Sequence, residues 1–238
     1  MDYKSFMELG RNRRSTRRFR PDPLPDADIN KIIEAARWAP SGYNMQPWEF
    51  IVIKEKDVKN NVTRLINEVV TPKELEGITK WDIGHAPDLF LSWADAPVFI
   101  IMVADKRTML GLPTIIQHIY QMRDQIFISS LASAFLYMHL AATTLGLASQ
   151  WVSQVAIPQV HCMLKGYLGL PSEFEIYDMM AVGYPAVKQR GKYLRSSAKL
   201  VHYGTSREED FRTDEEVKDF IKRSKTWIEA TARRKPDS

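Results

Sequence analysis

The 238-residue sequence contains a single cysteine, Cys162, and five histidines without the spacing of a metal site. One cysteine forms neither an intrachain disulfide nor a thiolate metal centre. Its apolar neighbours in a helical pattern predict that Cys162 is buried. The N-terminus lacks the apolar core of a signal peptide. We therefore expect a cytoplasmic protein without a metal.

Several glycine-containing motifs are also missing. The sequence has no G-x-G-x-x-G, no G-x-x-x-x-G-K-[ST] and no G-x-S-x-G. These absences argue against a Rossmann dinucleotide site, a Walker phosphate loop and a hydrolase nucleophile elbow. A phosphate site in this chain would have to be built from side chains.

The sequence has no strong excess of either sign of charge: it contains 33 basic and 29 acidic residues, and its net charge is +4. This mixed surface is not typical of a nucleic-acid-binding protein, and we expect no nucleic-acid partner. The stretch 126–148 has no charged residue and is long enough to cross a bilayer. Its serines, threonines and histidine favour a helix buried on all sides of a soluble core, or at a subunit interface, and no membrane partner.

A cluster of cations and hydroxyls is present near the start of the chain, in Arg13-Arg14-Ser15-Thr16-Arg17. Arginine side chains match phosphate oxygens two at a time, and hydroxyls can add hydrogen bonds. A solvated charge run is the alternative interpretation. Phe19 and the prolines at 21, 23 and 25 follow immediately, which favours a fixed loop that binds an anion.

Apolar periodicity predicts helices and strands in alternation. Helices are expected at 3–9 with Gly10 as C-cap, from a cap at Asp26 to about 38, at 58–69, at 116–145 closed by Gly146, from Pro158 to Gly169, and after a capping box of Thr213 and Glu216. Strands are expected at 48–54, 96–104, 147–155 and 174–182. The pattern predicts one domain, 1–238, folded as an α/β/α sandwich, with 205–238 as a C-terminal helical extension. The aromatic-rich connection 71–96 is a candidate lid.

Four sequence pieces occur together in order. They are Arg13-Arg14-Ser15-x-Arg17-x-Phe19, Ala39-Pro40-Ser41-Gly42-x-Asn44-x-Gln46-Pro47-Trp48, Gly146-Leu147, and Val182-Gly183-Tyr184-Pro185 followed by Arg195. Over residues 11–204 the chain thereby resembles the nitroreductase family of flavin-dependent oxidoreductases. The resemblance implies an α+β, three-layer α/β/α sandwich with a mixed, mainly antiparallel sheet. It also implies an intertwined homodimer with two FMN sites at its interface.

The resemblance further implies roles for individual residues. Arg13 and Ser15 would meet the FMN phosphate and ribityl chain, Arg14 would fix the loop, and Arg17 would approach the N1 and O2 edge of the flavin. Arg195 would be a second phosphate arginine. The opposite protomer would wrap the flavin ring with Pro40, Ser41, Gly42, Asn44 and Gln46. At the third strand, Gln150, Trp151 and Ser153 would lie near the flavin, with Ser153 as the candidate hydrogen-bond partner of N5.

The activity implied is ping-pong transfer of hydride from NADH or NADPH, through flavin N5, to a small electron-poor aromatic such as a nitroaromatic or quinone. A reductive dehalogenase of the same family is an alternative. Family dehalogenases that close over an aromatic amino acid use a Glu, Tyr and Lys set in the lid, whereas no tyrosine occurs here between residues 71 and 96. An aspartate stands in place of Ser15 in the flavin-fragmenting relatives. A non-catalytic flavin-binding dimer is an alternative of a different class.

Overall fold

The computed structural model describes residues 2–70, 92–188 and 191–232, with side chains to Trp227. Most of the lid expected at 71–96 lies outside the described residues. The helices are α1 (Tyr3–Asn12), α2 (Asp26–Arg37), α3 (Lys56–Val69), α4 (Thr114–His118), α5 (Tyr120–Thr144), α6 (Pro158–Leu168) and α7 (Asp214–Ala232). The strands are β1 (Trp48–Ile53), β2 (Val98–Asp105), β3 (Ala148–Val152) and β4 (Phe174–Gly183).

The four strands form one antiparallel sheet in the order β1-β2-β4-β3. Strands β1 and β3 are therefore the two edges. The connection between β3 and β4 is α6, which begins at Pro158 and ends at Gly169 in the left-handed conformation, as the sequence predicts.

Helices cover both faces of this sheet and make three layers. On one face, α3 and α6 pack Val62, Ile66 and Leu164 against the strands. On the other, α2 and α5 contribute a second apolar cluster with Ile32 and Phe135. The α+β fold and the α/β/α sandwich expected from the sequence are thus confirmed.

Helix α5 has one buried face and one exposed apolar face. Phe135 and Met138 are fully buried, whereas Tyr120, Ile128 and Leu136 are 66%, 54% and 45% exposed. Length and composition alone would allow α5 to cross a membrane, but the same test is passed by core helices of soluble proteins. The expectation of burial on all sides is wrong within this chain, and the exposed apolar face agrees with the alternative of a helix at a subunit interface.

Several predicted boundaries are wrong for local reasons. Helix α1 continues through Gly10 to Asn12, and Arg13 is its C-cap. Pro25 occupies the N-cap position of α2, while Asp26 is the first helical residue and pairs with Lys54 at 2.6 Å. The long helix expected at 116–145 is broken at Ile119, whose φ and ψ of −94° and 81° are not helical.

Other predicted ends are confirmed. Gly146 closes α5 with a φ of +71°, and Thr213 and Glu216 exchange the two hydrogen bonds of a capping box before α7.

Strand β3 is shorter than expected, because the chain turns into a 3₁₀ segment, Gln154–Ala156, after Ser153. Cys162 is exposed, so the prediction of a buried side chain is wrong.

Candidate functional site

The cationic segment is a fixed loop that runs across the ends of β3 and β4. Ser15 forms a parallel bridge with Ser149, and the Thr16 amide donates to the Ser149 carbonyl at 2.9 Å. Further along, Phe19 bridges Pro185. The loop is therefore held by main-chain hydrogen bonds, and its arginines project from a rigid backbone.

The side chains of this loop divide into those bound within the protein and those left for a ligand. Arg14 donates to the carbonyls of Arg13 and Gly10 at 2.7 and 3.4 Å, which ties the loop to the end of α1. In the described part of the chain, no carboxylate forms an ion pair with Arg13 or Arg17. Arg17 Nε is buried and has no hydrogen-bond partner among the described residues.

Electrostatics at the loop favour an anionic ligand. Burial lowers the pKa of Arg13 and of Arg17, and the charge of Arg14 adds to the effect on Arg13. A lowered pKa means that the charged guanidinium is disfavoured by its surroundings. An anion placed here would reverse that penalty and supply the missing hydrogen-bond acceptors.

A neutral histidine supports the loop from beneath. His139 on α5 is fully buried, and its Nδ1 lies 2.6 Å from Ser149 Oγ. Burial, assisted by the charge of Arg13, lowers the His139 pKa to about 3. The ring is therefore uncharged at neutral pH, and it holds the strand residue to which Ser15 and Thr16 are joined.

The three residues expected to approach the flavin do not share one face at the end of β3. Trp151 packs on the α5 face, where its indole stacks on His139 with 5.4 Å between ring centroids. Its Nε1 donates to Asp178 Oδ2 at 2.5 Å. Ser153 follows β3 and is exposed. Gln150 alternates to the opposite face, where Oε1 accepts from the Ser92 hydroxyl at 3.3 Å.

The second predicted loop, 40–47, is rigid and strained. Tyr43, Asn44 and Gln46 have φ values of 53°, 53° and 46°, a region that non-glycine residues rarely adopt. Gln46 Nε2 donates to Asn44 Oδ1 at 3.0 Å, and its main-chain amide donates to Ser41 Oγ at 3.1 Å. Hydrogen bonds within the loop thus hold the exposed amide side chains in place, next to an exposed Pro40.

Glycine is required at position 42 by the approach of the loop to α5. The Gly42 amide donates to Ser130 Oγ at 3.0 Å. A Cβ on Gly42 would lie 2.2 Å from Ile126 Cγ2, which is inside van der Waals contact. The loop therefore sits directly on the N-terminal half of α5.

The two predicted halves of the site lie at opposite corners of one sheet. Loop 40–47 leads into β1 at Trp48, which is level with Ala104 and Glu175. The cationic loop joins the other edge strand at Ser149, which is level with Val182. Three strand spacings separate these edges, about 14 Å, in addition to the displacement along the strands. One chain does not bring the two loops together.

Arg195 lies in the C-terminal part of the chain. Its Nη2 donates to the Lys199 carbonyl at 3.2 Å, and its Nε is buried without a partner among the described residues. It lines a cavity together with Tyr193, Arg212 and Phe220. Among the described residues, no hydrogen bond or ion pair joins Arg195 to Arg13 or Ser15.

Comparison with known proteins identifies the family. The model of the nitroreductase family matches residues 11–184, which is most of the chain. The chain belongs to the nitroreductase family. The matched region contains the cationic loop, loop 40–47 and all four strands.

Relatives of this chain within the family are named for different activities. Iodotyrosine deiodinase 1 of Rattus norvegicus is 28% identical over 193 residues, which cover 78% of this chain and 64% of that protein. The NADH dehydrogenase of Thermus thermophilus is 27% identical over 194 residues, covering 73% and 83%. An FMN-dependent nitroreductase from Clostridium difficile R20291 shares the fold with a TM-score of 0.62 at 22% identity, covering 84% and 99%. The chain thus spans less than two thirds of the deiodinase.

The polar groups behind the site were not predicted from the sequence. His139 was visible only as a residue that dilutes an apolar helix, and Ser130 likewise. Asp178 directly precedes the apolar end of β4, residues 179–183, and it is only 7% exposed. A charge at an inward position of a predicted strand was the available signal.

Proposed function

We propose that this nitroreductase is an FMN-dependent oxidoreductase that takes hydride from NADH or NADPH and reduces a small electron-poor aromatic. The observation that carries the proposal is the rigid cationic loop. It presents Arg13 and Arg17 without carboxylate partners in the described chain, and a buried Arg17 Nε without an acceptor. The FMN-dependent Clostridium difficile protein of the same fold supports the choice of cofactor.

The residues present fit FMN. Arg13 and the Ser15 hydroxyl would bind its phosphate, since the backbone of Ser15 is bridged to β3. Arg17, next on the loop, would meet the pyrimidine edge of the flavin, where negative charge collects on reduction. Ser153 is exposed at the end of β3 and would meet the N5 edge. Arg195 would add a second contact to the phosphate.

The remaining wall of the pocket would come from a second copy of the chain. Loop 40–47 lies at the wrong corner of the sheet to complete the site within one protomer. Its Asn44 and Gln46 amides are exposed and held in fixed positions, and Gly42 lets the loop lie close to α5. In a homodimer these groups would face the flavin of the partner, and the exposed apolar side of α5 would be covered.

The protein would position the flavin and adjust its reduction potential, and the cofactor would supply the redox chemistry. When bound, FMN would supply hydride chemistry between a nicotinamide and the second substrate. Arg17 would stabilise the negative charge at the pyrimidine edge of the flavin. No acid or base is required from the protein for hydride transfer. The Ser153 hydroxyl orients the N5 edge.

Anaerobic spectroscopy tests the proposal. We expect the apoprotein to bind FMN with a change in flavin absorbance or fluorescence. NADH or NADPH should then bleach the bound flavin, and a nitroaromatic or quinone should restore its colour. Apoprotein that leaves the spectrum of added FMN unchanged would contradict the proposal. Bound flavin that neither nucleotide bleaches would favour a non-catalytic flavin-binding dimer.

A reductive dehalogenase is the second candidate, because the iodotyrosine deiodinase of Rattus norvegicus matches 78% of the chain. The segment 71–96 contains Lys73, Glu74 and Glu76 but no tyrosine, which departs from the lid pattern expected for a halotyrosine substrate. Release of halide from a halotyrosine by the reduced protein, with no turnover of nitroaromatics or quinones, would favour this candidate.

A further inference from the structure

Asp178 shares one corner of the sheet with the residues that end β3. Trp151 pairs with Met180 and Val152 with Met179, so the ladder carried one residue further places Ser153 opposite Asp178. Residues two apart on a strand share a face, and diagonal neighbours on adjacent strands lie within reach of long side chains. Trp151, Ser153 and Asp178 therefore form one group on the α5 side.

Only one of the two carboxyl oxygens of Asp178 is satisfied. Oδ2 accepts the Trp151 indole hydrogen at 2.5 Å, while Oδ1 is buried and has no hydrogen-bond partner among the described residues. The indole itself is fixed, because it stacks on His139 and meets the edge of Phe135 with 4.6 Å between ring centroids. Oδ2 of the carboxyl is thus held by a fixed donor, whereas Oδ1 can still accept a hydrogen bond.

A buried acceptor without a donor is costly, about 1–3 kcal/mol, and such groups are rare unless they have a role. The Ser153 hydroxyl is close enough to Asp178 to stabilise its ionised form and so lower its pKa. Ser153 is exposed, and Asp178 stands behind it as a 7% exposed residue. The serine therefore separates the carboxyl from the face at which the flavin is proposed to bind.

We infer that Asp178 is a positioning residue: it holds Trp151 on Oδ2, draws the Ser153 hydroxyl hydrogen toward Oδ1, and leaves the serine oxygen facing the flavin as an acceptor. This inference rests on the proposed flavin site. An acceptor at N5 favours the reduced cofactor, in which that nitrogen carries a hydrogen, over the oxidised one, in which it has a lone pair. Asp178 would thereby raise the reduction potential without touching the flavin.

The positioning effect of Asp178 depends on pH, because it requires the ionised carboxylate. Burial raises the pKa of Asp178 to about 6, against the opposing influence of the Trp151 indole and of the nearby Ser153 hydroxyl. The neighbouring titratable groups are silent in this range: burial and the charge of Asp178 raise the pKa of Tyr177 to about 12, and the His139 pKa is about 3. Met102 faces Asp178 from β2 and does not titrate. A transition near pH 6 at this corner therefore reports Asp178.

The apoprotein tests the carboxyl–indole pair without any flavin. We expect tryptophan fluorescence of the parent to change across pH 5–7, and we expect Trp151→Phe and Asp178→Asn to lack that component. Trp38→Phe, which alters an exposed indole, is the matched control and should keep it. A parent transition that survives in Asp178→Asn overturns the inference, whether or not the protein binds FMN.

The reduction potential of bound flavin tests the link to Ser153. In Asp178→Asn the amide can donate to the serine oxygen, so the hydroxyl hydrogen turns toward the flavin. We expect the balance between reduced and oxidised flavin at pH 7.5 to fall about tenfold, which is about 30 mV for a two-electron couple. Ser153→Ala should lower it too, and Asp178→Asn should add nothing in that background. An unchanged or higher potential in Asp178→Asn, or additive shifts, overturns the inference.

Discussion

His139 is a buried base that stabilises the fold only while it is neutral. Its Nδ1 bonds to Ser149, and its ring supports Trp151, so it connects the cationic loop to the end of β3. Its Nε2 is buried without a partner in the described chain. Protonation would place a charge beside Arg13 in an apolar cluster, which is unfavourable. Acid should therefore destabilise this part of the molecule.

His139→Asn tests this pH dependence. The pKa of His139 falls from 6.5 in the unfolded chain to about 3 in the fold, so the unfolded state binds the extra proton below pH 6.5. The parent should lose stability as the pH falls from 6.5 toward 3, by at most about tenfold in the unfolding equilibrium per pH unit. The variant, which keeps an acceptor for Ser149, should lack this loss.

Denaturant titrations between pH 7 and 4.5 measure the difference between the two proteins. Asp178 acts in the opposite direction, because its raised pKa makes the folded state bind a proton between about 3.8 and 6. Parent and variant share that contribution, so it cancels in the difference. A gap in unfolding free energy that stays constant with pH would show that His139 is not the group responsible.

The arginines of the cationic loop should differ in what they control. Arg13→Ala removes a cation at the proposed phosphate position, and we expect FMN to bind about 10–100-fold more weakly, as for loss of a charged hydrogen bond. Arg17→Ala should retain FMN but lower its reduction potential, because the cation at the pyrimidine edge is lost. Equilibrium binding and potentiometry separate the two effects.

Arg18→Ala is the matched control for both variants. Arg18 is exposed, and its carbonyl accepts the Ala186 amide, a bond that alanine preserves. We expect affinity and potential close to those of the parent. Equal potentials in Arg17→Ala and the parent would contradict the role given to Arg17.

Secondary structure followed from the sequence where local chemistry decides it. Gly146 and Gly169 end helices in the left-handed conformation, and the capping box of Thr213 and Glu216 starts α7. Prediction was wrong where the preference is weak or contacts distant in sequence decide. Gly10 is tolerated inside α1, and nothing in the apolar pattern marks the break at Ile119.

The candidate site was predictable in its residue types but not in its arrangement. The arginine-rich motif and the Pro40–Pro47 motif stand out in the sequence. Their separation to opposite edges follows from the strand order β1-β2-β4-β3, which the sequence does not encode locally. The facing directions of Gln150 and Trp151 also needed the structure, because the whole strand is buried or nearly so and alternation gives no polar side.

Loop 40–47 and helix α5 form one packed unit, and Gly42→Ala tests it. The added methyl would collide with Ile126 Cγ2 at 2.2 Å, so we expect a loss of about 1–3 kcal/mol of stability, typical of overpacking. Adding Ile126→Ala should recover part of it. Gly111→Ala is the control, since its Cβ meets nothing within 4 Å. Equal thermal unfolding midpoints for Gly42→Ala and Gly111→Ala would contradict the packing.

We propose that the molecule as a whole is completed by a second copy. The cationic loop and loop 40–47 occupy opposite corners of the sheet, and α5, against which loop 40–47 packs, exposes Tyr120, Ile128 and Leu136. A two-fold axis beside α5 would cover this apolar face and bring the loop 40–47 of each copy toward the cationic loop of the other. One dimer would then contain two composite sites.

Mixing two defective variants tests this composite site. Arg13→Ala damages the cationic half, and Asn44→Ala with Gln46→Ala damages the other half, so each homodimer should bind FMN poorly. Unfolding and refolding an equal mixture should make about half of the dimers mixed, each with one intact site and one doubly damaged site. About a quarter of all sites would then regain FMN binding and nicotinamide-dependent bleaching. If each site were built within a single chain, the mixture would bind no more FMN than the two variants refolded apart.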